Sequence, residues 1–389
     1  MNSQIIGWDV GGAHLKAALL GPDGTLQQVL QVPCPLWRGL HELELAIDIV
    51  LNAFNVSSAL HAVTMTGELV DLFANRREGV LAISRVMQTK LNCAPNLNCL
   101  KFYTGVLNPA LNSTLNSGLT KPLSFTGFVS FDEVEDCWPF IASANWQASA
   151  SFVAQKIECG LFVDIGSTTT DFVLLENNKP ACIGFTDAAR MQTDELVYTG
   201  VVRTPLMAVA QRIEFQQAMT SVAAEFFATS ADVYRLTGDL SAEDDMADTA
   251  DAQDKGQLTS ARRIARMIGH DVEDAPIMDW HSLAEQFKWQ QISRLQTVAT
   301  KHISRLSNEN KKQSMVLIGS GAGGFLVAAI AKNLAIPYID VADLIILNKE
   351  NAESQISSVD DSAIAIRRRA SVCLPAYALA YLAQQLLEN

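Results

Sequence analysis

The sequence is short of positive charge. It contains 29 Lys and Arg residues against 42 Asp and Glu residues, which gives a formal net charge of −13. A protein that binds a polyanion needs an extended positive field, because neutralising phosphates with Lys and Arg supplies most of the affinity. We therefore expect no nucleic-acid partner, and acidic small molecules must be bound by local groups.

Paired metal-binding cysteines and histidines are also missing. The seven cysteines are scattered without a CxxC pair, and the six histidines include no HExxH motif. Structural zinc sites need such spacing, so we expect free thiols in a reducing compartment. We find neither a basic leader nor an apolar run long enough to cross a bilayer. These absences predict a cytoplasmic enzyme without a membrane partner; a homo-oligomer is compatible with the sequence.

The chain is long enough for two domains, and it contains an internal repeat. It has 389 residues, of which 49% are hydrophobic. IIGWDVGGAHLKAALL (residues 5–20) and GLFVDIGSTTTDFVLL (residues 160–175) share one plan: an apolar strand ending in Asp, a small-residue turn and a second apolar strand. Asp9 and Asp164 are 164 − 9 = 155 residues apart, which is domain spacing. We predict domains over residues 1–155 and 156–389.

The remaining pattern indicates an α/β fold. Each repeat predicts a β-hairpin, residues 43–54 and 283–306 carry apolar residues at helical spacing, and residues 316–333 predict a strand, a glycine turn and a helix. Residues 92–139 predict a loop-rich insertion, and residues 372–387 an apolar helix that could pack back on the first domain. The acidic tract 241–254 is predicted to be a solvated excursion, or a helix cap at Ser241 and Asp244.

The two repeat turns are candidate phosphate-binding loops. Glycines and small side chains let backbone N–H groups approach phosphate oxygens. The first turn contains Gly11 and Gly12 and is followed by His14. The second consists of Gly166, Ser167, Thr168, Thr169 and Thr170. Either turn alone is more often just an ordinary tight turn of a hairpin, so the prediction depends on their repetition.

The aspartates that end the first strands are candidate metal ligands. Mg²⁺ takes carboxylate, water and phosphate oxygens, so Asp9 and Asp164 could hold a hydrated Mg²⁺ ion beside a phosphate. The alternative is that both side chains only cap their turns. In the aligned repeats Lys16 falls opposite Asp171. We predict that Lys16 balances phosphate charge and that Asp171 acts on the metal or the acceptor; a salt-bridged strand position is the alternative.

Other candidate ligand contacts are polar residues in apolar surroundings or in a third glycine turn. The turn could receive a flat ring or a phosphate at a helix N-terminus. Its candidate residues are Gly319, Ser320, Gly321 and Gly323. In two further stretches, residues 65–73 and 189–206, charged and hydroxyl groups stand among apolar neighbours. These groups could contact a ligand, or they could serve only as helix caps or ion-pair partners. The two stretches contain Glu68, Arg190, Tyr198, Arg203 and Thr204.

Taken together, the three turns resemble in type and order those of the actin/sugar-kinase/Hsp70 superfamily. The resemblance implies two RNase H-like domains with a ligand cleft between them, although a fold does not fix a reaction. A narrower resemblance rests on MTGEL near residue 65, ANW at 144–146, DELVYTGVVRTP near 195, AEFFATSADVYRLTGDL from 224 and RRIARMIGHD from 262. These motifs are similar to those of hydantoinase/oxoprolinase-related condensing enzymes of methanofuran biosynthesis, which occur in methanogens and methylotrophs.

This second resemblance implies a transferase. The family's reaction joins an aminomethylfuran-methyl diphosphate to the phenol oxygen of γ-glutamyltyramine and releases diphosphate. Tyrosine or a glutamylated tyrosine is an alternative acceptor, since residues 108–128 are longer and more polar than in the family. The resemblance places Asn145 at the substrate, and Glu68, Asp164 or Asp171 could serve as the general base.

Two other functions remain compatible with the turns. One is an ATP-dependent small-molecule kinase or hydantoinase-type ATPase. The other is a nucleotide-gated binding protein, which is disfavoured because no long peptide-binding domain follows the second phosphate turn.

Overall fold

The computed structural model describes residues 4–91, 99–105, 127–306, 308–347 and 360–388. The chain divides into two compact units, one formed by Met1–Lys156 with Ala342–Asn389 and the other by Ile157–Val341. The sequence-based boundary at 155/156 lies one residue from the observed division. The last segment, which the prediction assigned to the second domain, belongs to the first unit. The ligand cleft expected between the domains stays a prediction.

The described strands and helices follow one another through both units. The strands are β1 (Gln4–Val10), β2 (His14–Leu20), β3 (Leu26–Pro33), β4 (Ala59–Met65), β5 (Leu100–Tyr103), β6 (Phe128–Val129), β7 (Cys159–Ile165), β8 (Thr170–Glu176), β9 (Lys179–Pro180), β10 (Leu196–Val197), β11 (Arg212–Phe215), β12 (Ala218–Ser221), β13 (Val316–Ser320) and β14 (Tyr338–Asp340). The helices are α1 (Leu40–Phe54), α2 (Arg76–Lys90), α3 (Val134–Ile141), α4 (Asn145–Ala154), α5 (Asp187–Thr193), α6 (Leu206–Val209), α7 (Ser230–Thr237), α8 (Gln257–Arg266), α9 (Ile277–Ile303), α10 (Glu309–Ser314), α11 (Gly324–Leu334), α12 (Asp360–Val372) and α13 (Leu374–Glu388).

The first unit is built on a mixed sheet with the strand order β3-β2-β1-β4-β5-β6. Strands β1, β2 and β3 are antiparallel, whereas β4 runs parallel to β1 and β5 parallel to β4. Alternate residues of β1, Ile6, Trp8 and Val10, pack in one core with apolar residues of α1 and α2. Since both faces of β1 are covered, its residues 5–8 are apolar without alternation with polar residues.

The opposite face of this sheet is covered by α4 and α13. Ring contacts join the two helices, with the Phe152 and Tyr377 centroids 5.2 Å apart and nearly perpendicular. A Cβ atom on Gly7 would stand 2.0 Å from the Ala376 carbonyl oxygen, so only glycine lets α13 lie this close to β1. The predicted C-terminal helix is therefore an integral layer of the first unit.

The second unit repeats the strand plan of the first. Its sheet has the order β10-β8-β7-β13-β14, with β9 added beside β8. β8 is antiparallel to both of its neighbours β7 and β10, whereas β13 runs parallel to β7 and β14 runs parallel to β13. The predicted fold class is confirmed: each unit is an α/β layer structure with the strand arrangement of an RNase H-like domain.

The two hairpins of the internal repeat have the same register. Asp9 pairs with Lys16 and Val10 with Leu15 in the first unit. In the second unit Asp164 pairs with Asp171 and Ile165 with Thr170, at positions shifted by the same 155 residues. The repeat found in the sequence is thus a repeat of backbone structure, and the alignment of Lys16 with Asp171 is confirmed.

The acidic tract 241–254 is only in part the solvated excursion that was predicted: most of its residues are exposed or half-buried, and Ser241 and Asp244 form the predicted cap contact, with Asp244 N–H donating to Ser241 Oγ at 3.3 Å, but some of its carboxylates are bound by arginines. Asp245 is buried and accepts two hydrogen bonds from Arg235, Nε–Oδ2 and Nη2–Oδ1, both 2.7 Å long. Arg263 is fully buried and donates to Asp232 at 2.8 Å and to Asp251 at 2.9 Å. These ion pairs fix the tract against α7 and α8, because its carboxylates neutralise Arg235 and Arg263, which the two helices bury.

The cysteines follow the expectation of free thiols at most described positions. Cys34, Cys137, Cys159, Cys182 and Cys373 are free. Cys99 departs from it because it is disulfide-bonded. Burial raises the pKa of Cys34 to about 12 and that of Cys137 to about 11, which keeps both thiols protonated and poorly nucleophilic.

Among the described helices no single one is long and apolar enough to span a membrane. The segments Ile364–Val372 and Leu374–Leu387 pass such a test only as a pair, and they are bent by 90° relative to each other. Ala376, Leu379 and Ala380 in the second of these segments are buried in the first unit.

A buried neutral histidine should make the first unit sensitive to acid. Trp8 Nε1 donates to His61 Nδ1 at 3.1 Å, and burial lowers the pKa of His61 from 6.5 to about 4. Above pH 6.5 the ring is neutral in both folded and unfolded chains. As the pH falls from 6.5 to 4 only the unfolded chain takes up the proton, so the free energy of unfolding should decrease by about 3 kcal/mol.

Urea unfolding at several pH values checks this. His61→Gln should remove this component of the pH dependence, whereas His41→Gln, at an exposed position, should retain it. Equal pH dependence in the wild type and in His61→Gln would contradict the assignment.

Candidate functional site

The first candidate site lies where β1 and β4 end. The Gly11 N–H donates to the His14 carbonyl oxygen at 3.0 Å, which closes the turn between β1 and β2. Asp9 pairs with Lys16 across the antiparallel strands and with Thr64 across the parallel strands. Paired residues on neighbouring strands point to the same face, so these three side chains form one polar row.

Asp9 is a buried member of this row with an oxygen that has no hydrogen-bond partner among the described residues. The side chain is 4% exposed, and the oxygen without a partner there is Oδ1. Burial raises the pKa of Asp9, and the positive charge of Lys16 opposes that effect. An unpaired buried carboxylate oxygen is costly unless a ligand, water or ion completes it, and it is the donor type that Mg²⁺ prefers. The first turn therefore fits the predicted metal.

The metal would be bound by few protein atoms. No group of three or more His, Cys, Asp or Glu side chains within the described ranges could hold a metal ion. This donor set suits Mg²⁺, which commonly binds through one or two carboxylates together with waters and substrate phosphates.

Lys16 is held by the first unit's own backbone. Its Nζ donates to the Val372 carbonyl oxygen at 2.8 Å, at the end of α12. The ammonium has three donors, so this bond fixes the direction of the side chain without using all of them.

Glu68 and Asn145 also belong to the first unit but have different surroundings. Glu68 lies in the short 3-10 helix Gly67–Leu69, is 2% exposed, and accepts a hydrogen bond from the Ser143 hydroxyl at 2.7 Å. Asn145 begins α4, and its side-chain oxygen accepts from the Trp146 N–H at 2.8 Å. Both polar side chains therefore make hydrogen bonds within the first unit, Glu68 with Ser143 and Asn145 with the first turn of its own helix.

In the second unit, residues 199–204 clasp the turn of the β7–β8 hairpin. The Val201 N–H donates to Gly166 O at 3.0 Å and the Arg203 N–H donates to Ser167 O at 2.8 Å. A Cβ atom on Gly200 would stand 2.5 Å from Thr168 N, so glycine is required at this close approach. Because these bonds use carbonyl oxygens of the turn, none of them occupies the amide N–H of Ser167 or Thr168.

Two predicted contact residues hold this clasp together. Thr170 Oγ1 is buried and donates to Thr199 O at 2.6 Å. Thr204 Oγ1 donates to Gly200 O at 3.1 Å and accepts from Gly200 N at 2.8 Å. Their hydroxyls shape the turn from within, whereas the Arg203 and Tyr198 side chains are exposed next to it.

The structure brings Asp171 and Arg190 together. Arg190 Nη1 donates to Asp171 Oδ1 at 2.8 Å, and its Nη2 donates to Glu195 O at 3.0 Å. Burial raises the pKa of Asp171, while the Arg190 charge and hydrogen bond oppose the rise. Arg190 is almost fully buried but Asp171 keeps 19% of its side chain exposed, so one partner of the pair can be reached by a ligand.

The third glycine turn lies against the second turn. Strand β13 runs beside β7 with Ser320 paired to Asp164, and the Gly323 N–H donates to Ile165 O at 2.8 Å. Gly321 has φ +79°, and a Cβ atom there would stand 2.5 Å from Asp164 Oδ1. The predicted strand, turn and helix are confirmed, and the contact with the Asp164 strand is a result of the parallel pairing.

Several site residues were missed by sequence reasoning. Thr64 directly precedes the MTGEL motif, so its place next to that motif was the available signal. Gly200 lies inside DELVYTGVVRTP, where a glycine between apolar residues could have indicated close backbone approach. Gln291, which donates to Thr199 Oγ1 at 2.9 Å, reaches the clasp from α9 and has no local sequence signal.

Comparison with known proteins identifies related sequences. The model of the hydantoinase/oxoprolinase family matches residues 107–347. The (4-{4-[2-(gamma-L-glutamylamino)ethyl]phenoxymethyl}furan-2-yl)methanamine synthase of Methanocaldococcus jannaschii is 29% identical over 284 residues, which are 72% of this chain and 77% of that protein. The protein of the same name from Methanococcus vannielii is 28% identical over 173 residues, 44% of this chain and 76% of its own length.

Solved structures with some similarity include nucleotide complexes. The activator of 2-hydroxyisocaproyl-CoA dehydratase from Clostridium difficile, with bound ADPNP, has a TM-score of 0.42 and 10% identity, covering 99% of this chain and 97% of its own. A ROK family glucokinase from Streptomyces griseus, in complex with glucose and AMPPNP, has a TM-score of 0.43 and 12% identity, covering 98% and 99%.

Two glycines with the same backbone conformation allow the packing of the third turn to be tested. Gly321→Ala places a methyl group 2.4 Å from Ile165 O, whereas Gly238, at φ +77°, has no atom within 4 Å of the added Cβ. Both substitutions incur the left-handed conformational cost of about 1–2 kcal/mol. Only Gly321→Ala adds overpacking, which costs about 1–3 kcal/mol more.

Thermal and urea unfolding of both variants measure the difference. Equal loss of stability in Gly321→Ala and Gly238→Ala would show that the third turn does not press on the Asp164 strand.

Proposed function

The chain belongs to the hydantoinase/oxoprolinase family, and from this we propose that it is a condensing transferase that forms an aryl ether in the biosynthesis of a methanofuran-type cofactor. Its substrates in this proposal are [5-(aminomethyl)furan-3-yl]methyl diphosphate and the phenol of γ-glutamyltyramine or a tyrosine analogue.

The observation that supports this proposal is the similarity to the Methanocaldococcus jannaschii synthase across 72% of the chain. The compound in that protein's name contains a phenoxymethyl group on a furan, which is an ether between a phenol oxygen and a furan-bound methylene. A protein of the same family with two candidate phosphate turns is suited to making such a bond from a diphosphate.

The proposed step is a substitution at the furan-bound methylene carbon. The bond from this carbon to the diphosphate oxygen breaks, and the electron pair leaves with diphosphate. The phenol oxygen forms the new bond to the same carbon and gives its proton to a base. Because the furan ring tolerates positive charge on this carbon, the protein's main task is to stabilise the negative charge that develops on the leaving oxygens.

In the second unit, the turn Gly166 to Thr169 is the proposed diphosphate contact. Its Ser167 and Thr168 amides are not used by the clasp, and the exposed Arg203 supplies a positive charge next to it. Mg²⁺ at Asp164 would neutralise diphosphate oxygens when bound. In the first unit, the turn at Gly11 and Gly12 and the Lys16 ammonium are proposed to bind phosphate oxygens. Asp9 is proposed to bind the cation.

We assign the general base to Asp171 rather than to Glu68. Glu68 is 2% exposed, whereas Asp171 retains an accessible part at the hairpin. A pKa raised by burial also makes the Asp171 carboxylate a better proton acceptor, and Arg190 holds it in one orientation.

A product assay tests the proposal. The purified protein is incubated with Mg²⁺, the furan diphosphate and candidate phenols, and the ether is identified by mass spectrometry while diphosphate is quantified. We expect ether and diphosphate in equal amounts without ATP. ADP formed from ATP, with no ether from the furan diphosphate, would contradict the proposal and support a kinase or ATPase.

The assay also tests the base. Asp171→Asn should lower kcat about 100- to 10,000-fold, in the range by which a general base accelerates reactions. Glu214→Gln, at an exposed position of β11, should leave kcat unchanged. Wild-type kcat in Asp171→Asn would exclude Asp171 as the base.

A further inference from the structure

Thr64 stands out because its hydroxyl is buried beside an unused carboxylate oxygen. Its side chain is 0% exposed, and Oγ1 has no hydrogen-bond partner among the residues that the structure describes. On the neighbouring strand Asp9 Oδ1 is also buried and also has no hydrogen-bond partner among the described residues. Asp9 and Thr64 are paired in the register of the parallel strands β1 and β4. Two side chains, each with a polar atom that lacks a partner among the described residues, therefore stand on neighbouring strands at paired positions of one sheet face.

Their position in the sheet is one where ligands bind. β1 and β4 are parallel neighbours, and both residues stand near the carboxyl ends of these strands. At the carboxyl ends of parallel strands the chain turns away and leaves a crevice, which is the usual ligand position in open α/β sheets. Gly11 and Gly12 follow β1 directly, so small residues border this crevice.

On the other side of Asp9, Lys16 has a fixed position. Its ammonium is bonded to Val372 O, which directs the positive charge towards the end of α12. The oxygen donors of the row, Asp9 Oδ1 and Thr64 Oγ1, are thus the pair left for a further ligand. Carboxylate and hydroxyl oxygens are hard donors and can bind Mg²⁺ together, as a loop hydroxyl and a separate aspartate do in P-loop NTPases.

We propose that Thr64 Oγ1 and Asp9 Oδ1 together hold the divalent cation of the first unit. This deepens the proposed function, because the cation is the one expected at Asp9, but it concerns binding and requires no substrate. Thr64 is a binding residue in this proposal, and a hydroxyl at position 64 is the specific requirement.

The chain offers a matched control. Thr104 is also buried, at 1% exposure, and its Oγ1 also lacks a hydrogen-bond partner within the described part of the chain. It follows β5, which does not neighbour β1 in the sheet. Thr104→Val therefore makes the same chemical change as Thr64→Val, in the same unit, without touching the proposed donor pair.

Mn²⁺ titration followed by electron paramagnetic resonance tests the proposal on the full chain without substrates. The signal of free Mn²⁺ disappears on binding, and the difference between wild type and Asp9→Asn defines the site. We expect Thr64→Val to weaken binding at this site by about 10-fold or more, because loss of a residue that only supports a metal ligand already costs about 10- to 100-fold. Thr64→Ser, which keeps the hydroxyl, and Thr104→Val should bind Mn²⁺ like the wild type.

Two results would overturn the proposal. If Thr64→Val binds Mn²⁺ like the wild type while Asp9→Asn does not, Thr64 does not contact the cation. If Asp9→Asn binds like the wild type, the first unit has no such site. Melting curves without metal show whether each variant folds. Ether formation in the product assay is a separate measurement, so failure of the cation site and failure of the proposed reaction are distinguishable.

Discussion

The shared register of the two hairpins is the constraint on which both candidate sites depend. In each unit the next-to-last residue of the first strand is an aspartate that pairs with a charged residue near the start of the second strand: Asp9 pairs with Lys16, and Asp164 pairs with Asp171. One backbone plan therefore gives two different charge arrangements. In the first unit the positively charged side chain, Lys16, is on the hairpin itself. In the second unit it is Arg190 on α5, which balances the charge of Asp171, the second carboxylate of that hairpin.

Close backbone approach keeps these arrangements in place. Gly200 lets residues 199–204 clasp the second turn, and Gly321 lets the third turn reach the strand that carries Asp164. A side chain at either position would push the turn away from its neighbour. The glycines in these segments are consequently as important for the geometry of the sites as the charged residues are.

Much of the fold could be predicted from the sequence because its signals are local. The apolar strands, the two small-residue turns and the helical spacing of α1 each lie within a short segment, and their repetition after 155 residues indicated two related units. The glycine turn at residues 319–324 was likewise readable as a strand, a turn and a helix.

The rest depends on residues that are distant in the chain. The acidic tract looked solvated because the arginines that bury its carboxylates, Arg235 and Arg263, stand outside it. Arg190 and Asp171 were both candidates, but their pairing depends on how α5 packs beside β8. Thr64 was missed because a threonine in a β-strand is ordinary; only the unpaired Asp9 oxygen on the next strand makes it notable.

The central claim is that these turns bind a diphosphate group together with a divalent cation. The most direct measurement is calorimetric titration of the protein with inorganic diphosphate, in the presence and in the absence of Mg²⁺. We expect saturable binding of diphosphate that is tighter with Mg²⁺. Saturable binding of ATP with no binding of diphosphate under the same conditions would contradict it.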